Sequence, residues 1–308
     1  MTTPRVGAVV VTYHPDPSVI GRLRELSRQL DSVCVVDNSP QAIHEATELP
    51  ANITVQHNPA NPGLAAALNQ GIECLLQQQV ESFFLFDQDS QISADYVQNM
   101  LRFQNQVCTG RTDIAWCAPD FFDVNSATRG RFVRLTPWRY QTLQCATVCQ
   151  HSPLLASFAI TSGSLFNRPM WLRLGSLRAD LFIDHVDSEY CLRAAKQSLQ
   201  IAINCQQTLR HAIGQRTVHR CLGVVIKPNH HPSTRRYYIA RNGIHLMRWY
   251  GATFPAFIAL SLARFAHELL SIVLYEQQRG RKLRYFCYGI WHGLVGRTGA
   301  LPQHWWES

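Results

Sequence analysis

The chain has 308 residues, 46% hydrophobic and 16% charged, enough apolar material for a large core and too much for a disordered chain. Its net charge of +8 is uneven: residues 210–308 hold 14 Lys and Arg against 3 Asp and Glu, so the remainder is net negative. A basic C-terminal third points to an anionic partner; nucleic acid is disfavoured, because no binding motif appears and the basic residues lie among apolar helical stretches.

Residues 6–12 (Val-Gly-Ala-Val-Val-Val-Thr) read as a buried strand, followed by a Tyr13-His14-Pro15 turn and a helical pattern over 18–30. A second strand covers 33–37 and ends in Asp37-Asn38-Ser39-Pro40; a third covers 53–55. Asn61 and Pro62 suit the cap and first position of a helix running to about Gln79. Strands alternating with helices imply a mainly parallel sheet in a Rossmann-like α/β domain. No G-x-G-x-x-G follows the first strand and there is no Walker A loop, which argues against a dinucleotide dehydrogenase and a P-loop enzyme. A nucleotidyltransferase would carry a glycine- and lysine-rich phosphate loop near the N-terminus, and that is absent too.

The stretch Ser82-Phe83-Phe84-Leu85-Phe86-Asp87-Gln88-Asp89-Ser90 is the centre of the chain. Four apolar residues make a buried strand, and two carboxylates one residue apart stand where it ends. Ligands of open α/β sheets bind at the carboxyl ends of strands. A hard cation such as Mg²⁺ is held by one or two carboxylates plus substrate phosphates. An Asp pair that caps the next helix is the alternative reading of D-x-D.

Beyond it the pattern predicts a helix over 93–106 and a strand over 114–118. An irregular arginine-rich segment over 120–153 and a strand pair around Ser162 and Gly163 come next. Asp184, Asp187 and Glu189 cluster before a helix, where Asp187 suits either a cap or a general base. The run Arg235-Arg236-Tyr237-Tyr238-Ile239-Ala240-Arg241-Asn242 interleaves cations with aromatics, as a phosphate-binding helix does. Residues 254–275 form a long apolar helix with Ser261, Arg264, His267, Glu268 and Ser271 on one face. Ile258, Leu262, Phe265, Leu269, Ile272 and Val273 fall on the other. Charges in mid-segment argue against a spanning helix. The adjacent Arg279, Arg281, Lys282 and Arg284 favour one lying in a membrane interface, with core packing or a homodimer contact as alternatives. The 10 cysteines have no zinc or redox spacing, and Met-Thr-Thr-Pro leads straight into a strand. Reduced thiols in a cytoplasmic protein are therefore expected.

Several motifs, in this order and spacing from about residue 5 to 299, resemble family 2 glycosyltransferases of the GT-A fold, and within them the rhamnosyltransferases. They are Val10-Val11-Thr12-Tyr13, Val36-Asp37-Asn38-Ser39, Asn61-Pro62-Gly63 with Asn69-Gln70-Gly71, Phe86-Asp87-Gln88-Asp89-Ser90, the acid cluster at 182–190, Leu209-Arg210-His211 and Arg236-Tyr237-Tyr238 with Arg241-Asn242. The resemblance implies a GT-A domain over 1–250 and an amphipathic helical region over 251–308. It implies an inverting transfer of L-rhamnose from dTDP-L-rhamnose to an amphiphilic glycolipid. Nearest are the enzymes that turn mono-rhamnolipid into di-rhamnolipid; lipopolysaccharide core and O-antigen rhamnosyltransferases are the alternative.

By the same resemblance Thr12, Tyr13, Asp37, Asn38, Asn61, Gly63, Asn69, Asp87 and Gln88 bind the nucleotide sugar, with Asp37 on the thymine. Arg236, Tyr237 and Arg241 serve the diphosphate. Asp89 holds Mg²⁺ or Mn²⁺, and His211 completes that site. Asp187 is the base, at the place where the family most often has Glu-Asp and this chain has Val186-Asp187. Ser162, Gly163, Asp184 and Glu189 lie on the acceptor side. Peripheral attachment to the cytoplasmic face of the inner membrane follows from the amphiphilic acceptor. A membrane-bound scaffold with a non-catalytic transferase-like domain is the rival from another class.

Overall fold

The computed structural model describes residues 4–42, 49–125, 127–147, 153–211, 217–221, 224–302 and 305, with the side chains of 211, 220–221 and 224–226 outside that description. The first half runs β1 (Val6–Thr12), α1 (Val19–Ser27), β2 (Ser32–Asp37), β3 (Ile53–His57), α2 (Leu64–Gln77), β4 (Ser82–Asp87), α3 (Tyr96–Cys108) and β5 (Ile114–Asp123). A short β6 (Thr128–Arg129), a hairpin of β7 (Phe132–Leu135) and β8 (Tyr140–Leu143), β9 (Leu154–Ala156) and β10 (Leu165–Asn167) follow. The chain continues through α4 (Arg168–Leu174), α5 (Val186–Lys196), β11 (Gln200–His211), β12 (His219–Cys221) and β13 (Val224–Ile226). It closes with α6 (Ser233–Tyr250), α7 (Pro255–Tyr275) and α8 (Arg279–Leu294).

The main sheet has the order β3-β2-β1-β4-β10-β5-β11-β9. The first four strands are parallel, as is β5 with β11, while β10 runs antiparallel between β4 and β5. Strand side chains alternate between faces. Val9, Val11, Val36, Phe83 and Leu85 bury against α2 on one face. Ala8, Val10, Val35, Phe84 and Phe86 bury against α1 and α3 on the other. The register sets Thr12 opposite Asp37 and Val11 opposite Asp87, so one sheet edge gathers the polar strand ends.

Several local expectations change. Gly63, not Asn61, caps α2: Asn61 is left-handed at φ 41° and its Oδ1 accepts the Gly63 N–H at 3.1 Å. Residues 120–153 contain strands, because β5 extends to Asp123 and pairs with β6. Cys145 and Cys205 form a disulfide, which corrects the reduced state expected for that pair.

Helices α6 and α8 touch closely. A Cβ at Gly289 would lie 2.4 Å from the Tyr237 carbonyl, and one at Gly293 2.7 Å from that of Arg241. Helix α7 turns part of its polar face inward: Ser261 and Ser271 are buried and Glu268 pairs with the buried Arg236, while Arg264 stays exposed. Phe265 and Ile272, expected on the apolar face, also turn inward. Leu262, Leu269, Leu270, Val273 and Leu274 face outward. By length and composition α7 could cross a membrane, with mean hydropathy 1.7.

Candidate active site

The carboxyl edge of β1, β2 and β4 opens into a cleft of about 650 Å³. Thr12, Tyr13, Asn38, Asn61, Gly63, Asp87, Gln88, Asp89, Ser162, Asp184 and Asp187 line it, so most of the expected site residues do meet there. Hydrogen bonds between loops hold them. The Gln88 side chain accepts the Tyr13 N–H at 2.7 Å, tying the end of β1 to that of β4. Ser162 Oγ accepts the Asp87 N–H at 3.1 Å and shares a hydrogen bond with Ser90 Oγ at 2.9 Å. Asp37 is fully buried. Its Oδ1 accepts from Thr12 Oγ1 at 2.9 Å and Ser39 Oγ at 2.7 Å, so it braces the floor while the next residue, Asn38, reaches the cleft.

The far wall is the loop before α5. Phe182 (φ 66°, ψ −67°) forms a strained γ-turn closed by the Ile183 N–H on the Leu181 carbonyl at 2.8 Å. Asp184 and His185 are left-handed as well. Such backbone costs about 1–3 kcal/mol per residue and gathers where function demands it. Gly63 is needed opposite this loop: at φ 95° its Cβ would sit 2.7 Å from the Phe182 carbonyl, which accepts the Leu64 N–H. Asp187 lies in the first turn of α5, behind His185 at the capping position.

Two carboxyls on this wall differ in state. Burial pushes Asp187 up to about 6, aided by the charges of Asp87 and Asp184 against hydrogen bonds from its own N–H and that of Thr161. Burial also pushes Asp184 up, but the bidentate Arg235 guanidinium, with His231 and His185, outweighs it and holds that carboxyl below its usual range. Asp184 is thus a fixed anion and Asp187 a carboxyl poised near neutrality.

The remaining expected residues sit elsewhere. Arg236 is buried in an ion network with Glu268 and Glu276, and Lys282 joins it at 2.7 Å. Tyr237 bonds His292 of α8 at 2.8 Å. Arg241 donates to the carbonyls of Leu181 (2.9 Å) and Gly299 (2.5 Å). Asn69 pairs reciprocally with the Leu177 backbone at 2.8 and 3.0 Å. Glu189 is buried against Arg193 and the Tyr250 hydroxyl. Gly163 donates to the Leu85 carbonyl at 2.7 Å and accepts from the Tyr96 hydroxyl at 2.6 Å. None of these lines the cleft. The His211 side chain lies outside the described residues. Sequence reasoning missed Arg235, Thr161 and His231 as lining residues. Arg235 opens the run read as a phosphate-binding helix, but the resemblance gave the diphosphate roles to Arg236, Tyr237 and Arg241.

A divalent cation fits Asp87 and Asp89, which offer hard oxygens at one sheet end. Among the described residues no third His, Cys, Asp or Glu completes a closed site. An open pair of carboxylates suits an ion whose other oxygens come from a substrate diphosphate.

Residues 8–169 match Glycosyl transferase family 2. The dTDP-rhamnosyl transferase RfbF of Shigella flexneri is 30% identical over 300 residues, spanning 95% of both chains. Among solved structures, GalNAc-T7 with UDP, GalNAc and Mn²⁺ superposes with a TM-score of 0.53 at 12% identity, over 85% of this chain and 55% of that longer one. S. aureus TarS gives 0.50 at 12% identity, over 90% and 45%. These two likenesses concern the fold, which is of GT-A type.

Proposed function

Because the chain belongs to glycosyl transferase family 2, we propose that it is a dTDP-L-rhamnose-dependent rhamnosyltransferase acting on a hydroxyl of a lipopolysaccharide core or O-antigen glycan. The observation that carries this reading is the likeness to a dTDP-rhamnosyl transferase over nearly the whole chain. That likeness lends no support to a rhamnolipid acceptor, and the lipopolysaccharide alternative fits it better. A non-catalytic scaffold has no support beside the enzyme likeness and the carboxylates of the cleft.

In this reading Tyr13, 46% exposed at the rim, and Asn38 receive the nucleotide base. Asp87 and Asp89 would hold Mg²⁺ or Mn²⁺, which when bound supplies Lewis-acid stabilisation of the leaving diphosphate. Asp187 takes the proton of the acceptor hydroxyl as its oxygen bonds to the anomeric carbon. The bond from that carbon to the phosphate oxygen breaks, dTDP leaves with the electron pair, and the configuration inverts. Arg235, rather than Arg236 or Arg241, is the arginine that lines the cleft. It also ties up Asp184, leaving Asp187 as the base.

The test is transfer from dTDP-L-rhamnose with Mg²⁺, followed by mass spectrometry. Product on a lipopolysaccharide core acceptor, lost with EDTA and with Asp89→Ala, is expected; product on mono-rhamnolipid alone would reverse the choice of acceptor.

The outward face of α7, the exposed Trp291 and the neighbouring Arg279, Arg281 and Arg284 suit an anionic bilayer surface, the place of a lipid-linked acceptor. Phosphatidylglycerol vesicles should sediment the protein, and Leu262→Glu with Leu270→Glu should release it. A dimer in light scattering that ignores vesicles would assign this face to a second copy.

A further inference from the structure

A second cavity, of about 950 Å³, lies against the cleft, and Asp184 and His185 line both. The first turn of α5 straddles the two: Asp187 faces the cleft and Ser188 the second cavity. The shared wall therefore carries the candidate base, and the second cavity has room for a saccharide.

Its charge is lopsided. The carboxylates on its lining are already matched, Asp184 by Arg235 and Glu268 by Arg236. Arg129 is matched by Asp120 at 2.8 Å. Arg131 and Arg264 also line it and make no hydrogen bond or ion pair among the described residues. Arg264 stands on α7 with its side chain exposed, although neighbouring protein pushes its pKa down. Both Arg131 and Arg264 are exposed, so their guanidiniums are open to an anion that enters the cavity. At the junction, burial holds the His185 imidazole near 4 and hence neutral at physiological pH, with Asp184 opposing and Arg264 adding to that shift. Its buried Nδ1 has no hydrogen-bond partner.

We propose that this cavity is the acceptor subsite and that it selects a saccharide bearing a phosphate or carboxylate. Arg131 and Arg264 hold the anionic group. The reacting hydroxyl passes the Asp184–His185 wall to Asp187. This rests on the glycosyltransferase reading and adds to it the charge of the acceptor.

The probes are glucose 6-phosphate, glucuronate and glucose, titrated by calorimetry into the full chain with and without saturating dTDP and Mg²⁺. With dTDP in place, a sugar phosphate cannot report from the diphosphate site. The charged sugars should bind dTDP-loaded protein and glucose should not; a response to only one of them identifies the anion. A hydrogen bond to a charged group contributes about 1.5–3 kcal/mol, so Arg264→Gln should weaken binding roughly tenfold or more, with dTDP affinity unchanged. Arg264→Lys should recover part of it. Equal binding of all three sugars, or unaltered binding by both Arg264→Gln and Arg131→Gln, overturns the subsite. A wild-type chain indifferent to dTDP overturns the donor reading instead, while the dTDP-free titration still reports on the cavity.

Discussion

Asp187→Asn is expected to lower kcat about 10²–10⁴-fold, the usual contribution of a general base. It should leave dTDP affinity near wild type and make the protein more stable at neutral pH. The activity loss follows from position and state: Asp187 lines the cleft, and burial with the Asp87 charge raises it to about 6. In the wild type, kcat/KM of the free enzyme should therefore climb with pH through about 6. The stability gain follows from the same shift. A carboxyl raised from 3.8 binds its proton more tightly folded than unfolded, so stability falls as pH rises between these values and stays reduced above. The loss at neutral pH is on the order of 2–3 kcal/mol, and Asn escapes it because it carries no charge to bury. Thermal melts at pH 7 beside single-turnover rates check both halves. A variant with full activity would move the base to Asp184. Its pairing with Arg235 makes that a poor choice, since a carboxylate held below its usual range has little affinity for a proton.

Much of this was legible in the sequence because it depends on short-range pattern. The apolar runs ending in Thr12, Asp37 and Asp87 specify parallel strands, and the topology of such sheets puts their ends together. What was not legible depends on which way a helix faces. Arg235 and Arg236 are adjacent, and the choice of which enters the cleft is made by contacts far along the chain. Glu268 and Glu276 capture Arg236, and the glycines of α8 let that helix seat against α6. The pattern of α7 likewise separates two faces without saying which is inside. The ion pair with Arg236 holds Glu268 inward beside the apolar Phe265 and Ile272, so the buried face mixes polar and apolar residues. Cys145 and Cys205, 60 residues apart, carried no spacing signal at all. The acid cluster was read correctly as dense in carboxylates, but the separation of Asp184 from Asp187 comes from Arg235, a residue 51 positions later.

Asn242→Ala is expected to destabilise the fold by about 2–4 kcal/mol, because unpaired buried carbonyls cost about 1–3 kcal/mol each. It should also cut kcat with little change in dTDP affinity. Its two Nδ2 hydrogens serve the carbonyls of Ile183 (2.8 Å) and Asp184 (2.9 Å), with that of Leu181, which Arg241 also reaches, at 3.0 Å, and its Oδ1 accepts from Arg241 Nε at 2.9 Å. These are the carbonyls of the strained loop, in which Phe182, Asp184 and His185 all have positive φ. Strained backbone relaxes unless its surroundings hold it. The Arg241-Asn242 end of the α6 motif thus positions the wall of the cleft rather than touching substrate. Released, the loop should admit water to Asp187, and the acid limb of kcat/KM should move below about 6 as burial weakens. A merely structural residue would lower the melting temperature and leave that limb in place. Asn242→Asp keeps the size but replaces the donors with a charge facing carbonyls, so it should do no better. The decisive measurement is the pH profile of Asn242→Ala at a temperature where it remains folded. An unmoved limb with wild-type kcat would mean that the loop holds its shape without α6.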